Sequence, residues 1–168
     1  MHDKSYLLSL LDYNIWARDL YYAQVDGLPD GELTRQRPSI MNSFLVLLNH
    51  FLVVERVWMA HMKGRPHGFD KLQTVLHEDV ASLQAAQHDM DREIRGYIEG
   101  LSGEELEEEV SYELIGGNTG RLPRYMILTH LIMHGAFHRG YVADMMGQVP
   151  ARPAPQDIPV WERAVREQ

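Results

Sequence analysis

Four stretches of the chain carry apolar residues at helical spacing, separated by segments that are polar or rich in Gly and Pro. The first, about Ser5 to Val25, sets Leu7, Leu8, Leu11, Ile15, Leu20 and Tyr22 among Asp12, Asn14 and Arg18. Gly27-Leu28-Pro29-Asp30-Gly31 ends it, and a polar connection runs on to Pro38. The second begins near Asn42 or Ser43, either of which can cap it. It continues through Phe44, Leu47, Leu48, Phe51, Val54, Val57 and Trp58 to Lys63-Gly64. After a loop at Arg65 to Phe69, a third helix is predicted from about Thr74 to Leu101, with Val75, Val80, Leu83, Met90, Ile94 and Ile98 on one side. Ser102 to Glu105 reads as an acidic turn, and Glu109 to Leu114 alternates briefly before the turn cluster Gly116-Gly117-Asn118-Thr119-Gly120. A small hairpin or extended connection is expected there. Pro123 suits the first turn of a last helix running to about Met146, where Gly147 stops it. Pro150, Pro153, Pro155 and Pro159 make the tail irregular. The pattern predicts an all-α four-helix bundle as one domain over residues 1–168. Both the connection after the first helix and that before the last are long, so up-down-up-down order is not forced.

Composition narrows the chemistry. The 168 residues carry 16 Lys and Arg against 24 Asp and Glu, a formal charge of −8, which argues against a nucleic-acid partner. There is no cysteine, so disulfides, thiolate ligands and Cys nucleophiles are excluded, and any thiol must come from outside. The opening Met1-His2-Asp3-Lys4 lacks a basic region and apolar run, and no apolar segment is read as approaching a membrane span. No membrane association and a cytoplasmic home are expected.

Nine histidines remain, and three fall in one phrase, His130-Leu-Ile-Met-His134-Gly-Ala-Phe-His138. On a helix they lie within roughly 80° of one another. Two neutral imidazoles four residues apart can converge on one ion. The Glu of the zinc-protease motif is absent, since Leu131 follows His130 and Gly135 follows His134. The stripe sits among Ile127, Leu128, Leu131, Ile132, Met133 and Phe137, where an unsatisfied imidazole is costly. A lone buried histidine can instead donate to a carbonyl or carboxylate, and His130 can do so by itself. The pair His134 and His138 favours a metal. His50 lies mid-helix in Leu47-Leu48-Asn49-His50-Phe51-Leu52 and can supply a third nitrogen. The rival set is His130, His134 and His50. His2, His61, His67, His77 and His88 are read as exposed. Glu55 and Asp144 are read as solvated or salt-bridged, Asn14 as a surface or packing hydrogen-bonder, and Trp16 as core.

The chain also resembles the DinB family of the DinB/YfiT-like metal-binding helical proteins. The likeness rests on Tyr13-Asn14-Ile15-Trp16-Ala17, Gly27-Leu28-Pro29-Asp30-Gly31-Glu32-Leu33, Asn42-Ser43-Phe44 with His50 and Glu55-Arg56-Val57-Trp58, and above all His130 to His134 running into His138-Arg139-Gly140. Tyr141 stands where the family usually has Gln. The resemblance implies an up-down-down-up bundle, a homodimer, and a nickel- or zinc-type site on His50, His134 and His138, with His130 beside the metal. It further implies an enzyme that uses an external low-molecular-weight thiol on a small electrophile, in the manner of an S-transferase. A metal-dependent hydrolase and a non-enzymatic, damage-responsive metal binder are the alternatives. An open cavity at the histidines would favour catalysis, and a fourth protein ligand a structural metal.

Overall fold

The computed structural model describes residues 3–167. His2, placed among the exposed histidines above, lies outside the described residues. The chain forms α1 (Lys4–Asp26), α2 (Phe44–Met62), α3 (Val80–Gly100), α4 (Gly103–Glu107), β1 (Glu109–Glu113), β2 (Thr119–Pro123), α5 (Arg124–Met146) and α6 (Ile158–Arg166). The architecture is therefore mostly helical rather than purely all-α, because the expected hairpin pairs into a two-stranded antiparallel sheet, from Glu109 opposite Pro123 to Glu113 opposite Thr119. Gly116 and Gly117 take positive φ at its turn, a conformation that glycine adopts without a Cβ penalty.

Local signals explain most boundaries. The Asp3 side chain caps α1 through Ser5 N. At α2 the cap is Ser43, bonded to Val46 N, while Asn42 takes a left-handed turn with φ 51°. The third helix starts six residues later than the periodicity suggests. Asp79 caps it through Ser82 N, and Thr74 to Glu78 remain in the loop. The reason is tertiary: the Asn49 side chain accepts from Leu76 N and His77 N and donates to the His77 carbonyl at 2.9 Å. Those backbone groups are thereby satisfied outside a helix.

The tail is more ordered than its prolines suggest. Gln24 bonds Arg152 O and Ala154 N, Tyr13 and Gln156 tie the next turn to α1, and α6 follows. The acidic turn contains α4, closed by a capping box between Ser102 and Glu105.

Helices α1 and α2 each pack against both α3 and α5. The core between them includes Tyr22, Phe44, Leu47, Leu48, Leu52, Leu83, Ile98, Ile127 and Leu128, all fully buried. Each such side chain contributes about 1.5–3 kcal/mol by leaving water. Because α2 is covered by α3, α5 and β1, it is apolar around most of its circumference. By length and composition its 19 residues would suffice to cross a bilayer, contrary to the expectation above. With 78% of that apolar window buried inside the protein, α2 is a core helix.

Candidate metal centre

His50 projects from the middle of α2 and meets two successive turns of α5. Its Nε2 lies 3.1 Å from His134 Nε2 and 3.2 Å from His138 Nε2. His50 and His138 are buried and His134 is half-buried. The Nδ1 of His50 donates to the Leu72 carbonyl at 3.1 Å, which leaves its Nε2 as a lone pair aimed at the other two rings. Leu72 lies four residues before Leu76, in the same loop whose backbone Asn49, the neighbour of His50 in sequence, holds at Leu76 and His77.

The approach of α5 to α1 depends on Gly135. A Cβ on this glycine would stand 2.5 Å from Asn14 Oδ1. Asn14 is buried and accepts a hydrogen bond from Arg139, whose guanidinium lies over the Tyr13 ring. The residues on either side of His138 are therefore locked to α1, which limits the freedom of the histidine stripe.

Three imidazole nitrogens this close cannot all be satisfied by one another. Each neutral ring has one N–H and one lone pair: an Nε2–H on His134 or His138 can donate to the lone pair of His50, and wherever two Nε2 lone pairs face each other they repel unless a cation stands between them. A tetrahedral zinc ion bound at about 2.0–2.1 Å holds its nitrogens about 3.3 Å apart, close to both observed separations. Protonation is opposed instead. Burial, then His138, His50 and His130, drive His134 down to about 2, and burial with His50 drives His138 down to about 4. Burial also lowers His50, against the Leu72 carbonyl that raises it. These shifts favour the neutral rings, the form in which a divalent cation can take all three Nε2 atoms as donors. His138 Nδ1 is buried without a hydrogen-bond partner among the described residues. A hydrogen bond that fixes the ring from behind is thus present at His50, and among the described residues none is made by His138 Nδ1.

The other histidines separate clearly. His130 is exposed, with its ring centroid 5.6 Å from that of His134, and stays outside the convergent set. His61 and His67 are half-buried rather than exposed and contact each other, while His88 pairs with Asp19 at 2.8 Å. His77 is half-buried, its backbone held by Asn49. Tyr141 packs its ring against His138 and Phe137. Asp144 is exposed and Trp16 only half-buried. Glu55 is salt-bridged but buried, bonded to Arg18 at 3.0 Å and to Gln87.

A cavity of about 680 Å³ lies alongside, lined by α2, α5, the hairpin and Leu72, and it reaches His130 and His134. Its lining includes Val54, Val57, Trp58, Met126 and Met133 and holds no carboxylate. Periodicity could not reveal it, nor the parts played by Asn49, Leu72 and Gly135. The one legible hint was a polar Asn-His pair inside an apolar helix.

A family model described as DinB family matches residues 1–167. A solved structure described as a DinB-like protein from Bacillus cereus ATCC 10987 superposes with a TM-score of 0.64 at 16% identity, covering 86% of this chain and 94% of that one. That likeness concerns the fold. No curated protein matches the chain.

Proposed function

This chain belongs to the DinB family, and from that premise we propose that His50, His134 and His138 hold a divalent cation, nickel or zinc, for the transfer of a low-molecular-weight thiol to a small electrophile. The observation that supports it most is the convergence of three Nε2 atoms beside an apolar cavity, with no fourth protein ligand among the described residues. Among the described residues these three form the one group of His, Asp or Glu whose ligand atoms gather within 4.8 Å. Structural zinc is closed by four protein ligands, whereas catalytic zinc has three and an open position. Imidazole donors suit several divalent metals, and family membership favours nickel or zinc.

A bound divalent ion would lower the pKa of a coordinated thiol or water and polarise an electrophilic oxygen. The rest falls to the protein. Leu72 and the apolar neighbours fix the ring of His50, and Val54, Val57 and Trp58 exclude water from the reacting atoms. In the net reaction the thiol releases its proton to solvent and its sulfur bonds to carbon. For an epoxide the C–O bond breaks, and the freed oxygen takes up a proton. A cavity without a carboxylate suits a nucleophile that ionises readily better than one that needs a positioned carboxylate base. For that reason hydrolysis, with water in place of the thiol, ranks second and a non-enzymatic metal binder third.

The reading includes an up-down-down-up order of the four long helices and a homodimer. Sedimentation at micromolar concentration tests the latter, and a mass of one chain would count against it. For the chemistry, the purified protein is assayed for bound metal, then for loss of free thiol with bacillithiol, mycothiol and glutathione against a panel of epoxides and halides. Metal-dependent thiol loss is expected. Tight metal binding with no turnover of any pair would favour the non-enzymatic reading.

A further inference from the structure

The outer face of α5 is apolar and uncovered among the described residues. Met126, Met133 and Phe137 are exposed there, Met133 at 66% and Phe137 at 63%, and Gly140 follows on the same side. On a helix these four positions lie within roughly 60° of one another. Between Arg124 and Asp144 the only Asp, Glu, Lys or Arg of α5 is Arg139, and it is buried. The stripe forms a ridge between two hollows. On one side is the cavity beside His134, the chamber behind Trp58, of about 680 Å³. On the other is a hollow of about 350 Å³ against α1, lined by Tyr6, Leu7 and Leu10. Its one charged lining residue is Asp3, whose carboxylate already accepts from Ser5. Thr129 and Met133 line both hollows. Gly140 has open space where a Cβ would stand, whereas the bareness of Gly135 is accounted for by Asn14. Glycine inside a helix is destabilising, and no contact among the described residues calls for it at position 140.

We infer that a second copy of this chain covers this face, with the two α5 helices antiparallel about a two-fold axis at Met133, and that the pair closes the chamber beside His134. This pairing rests on the homodimer proposed above and not on the metal. With the axis at Met133, Met126 faces Gly140 of the partner subunit, Thr129 faces Phe137 of the partner subunit, and His130 faces the partner's Ala136. Larger side chains thus meet smaller ones, and every contact repeats on both sides, as an isologous interface requires. Exposed Met and aromatic side chains are the composition of an interface core. Two copies of a chain with a formal charge of −8 repel wherever like charges meet, and the α5 stripe brings none together. Tyr6, Met126, Met133 and Phe137 offer on the order of a few hundred Å² of apolar surface, the scale at which a patch marks an interaction site. A stable pair takes about 800 Å² from each copy, so the walls of both hollows belong to the contact. Met126, Thr129 and Met133 are walls of the chamber, which is therefore closed along α5 in the pair. The entrance that remains is at Leu114 and Ile115 of the hairpin, which also line the neighbouring cleft with Arg65 and Arg121.

Because the full chain has no cysteine, introduced thiols report the face directly. Sedimentation at micromolar concentration reads the assembly, and single-cysteine variants under mild oxidation read which surfaces meet. Met133→Cys, beside the axis, should cross-link to a covalent dimer. Thr129→Cys mixed with Phe137→Cys should give more mixed dimer than Thr129→Cys gives by itself. Arg92→Cys, exposed on α3 across the bundle from α5, should remain a single chain on denaturing gels. Met133→Glu sets two carboxylates on the axis and should weaken the dimer at least about tenfold with its helical circular dichroism unchanged. If that variant unfolds, the cross-links still decide. A dimer in which Met133→Cys fails to cross-link, or which survives Met133→Glu undiminished, would overturn this face and leave the homodimer itself standing. A chain that stays monomeric would overturn both, and one that then sediments with phosphatidylcholine vesicles would give the stripe to a lipid surface instead. None of these outcomes bears on the metal, which is read separately by metal analysis.

Discussion

Helix α2 serves two buried polar clusters five residues apart, and they are built on opposite terms. Around Glu55, Arg18 from α1 reaches both Glu55 and Asp91 from α3, and Gln87 donates to the second Glu55 oxygen. One cation faces two carboxylates, and the shortfall appears at Glu55. Burial first, and then the charge of Asp91, push its carboxyl up to about 7 against Arg18 and Gln87. Around His50, among the described residues, no opposite charge pairs with the rings, and three Nε2 atoms converge on one another. Burial and displaced protonation are common to both clusters, so neither property tells a structural cluster from a functional one. Complementarity does. The Arg18 network pairs opposite charges within itself and sits among three helices, although Arg18 Nε and Gln87 Oε1 find no hydrogen-bond partner among the described residues, while the histidines bring no charge of opposite sign and adjoin a cavity.

Three experiments can break or sharpen that contrast. The largest effect is expected from Arg18→Ala, which strands two buried carboxylates and should cost about 3–5 kcal/mol of folding stability in denaturant titrations. Metal affinity of the folded fraction should be retained. A loss of metal binding larger than the loss of folded protein would mean that the two clusters are coupled.

His138→Ala should do the converse. Metal affinity, read by competition with a chelator, should fall by more than the roughly 10–100-fold that removing a supporting neighbour causes, with the fold intact. His130→Ala should leave affinity largely unchanged. If instead His130→Ala abolishes binding and His138→Ala spares it, the ion sits one turn nearer the start of α5.

The smallest effect concerns acid. In the metal-free protein His134 and His138 are held well below the ordinary histidine value, to about 2 and about 4. Above about pH 6.5 both states of the chain carry these rings neutral, and their contribution to stability is fully present. As pH falls the unfolded chain takes up protons first, so stability is lost down through the folded values. The slope is at most about 1.4 kcal/mol per pH unit for each group. His138→Ala should flatten the slope between about pH 6.5 and 4, measured by urea midpoints. An unchanged slope would assign the acid sensitivity elsewhere.

Much of this molecule is local and therefore readable from one strand of letters. The spans of α1, α2 and α5 follow from apolar spacing and from the stops at Gly27, Gly64 and Gly147, and the hairpin from alternation followed by Gly116-Gly117. The spacing of His134 and His138 on one stripe is likewise a property of any helix. What periodicity cannot carry is which faces meet. The late start of α3 depends on Asn49 capturing backbone 28 residues away, and the tight α1–α5 approach on Gly135 meeting Asn14. The burial of Glu55 depends on Arg18 and Asp91 arriving from two other helices, although by itself Glu55 reads only as solvated or salt-bridged. The separation of His50 from the α5 imidazoles, the Leu72 carbonyl that orients its ring and the chamber behind Trp58 likewise exist only once α2, α5 and the hairpin are packed. Helical periods and turn residues act over a few positions of chain, whereas convergence of side chains is decided by contacts between segments remote in sequence.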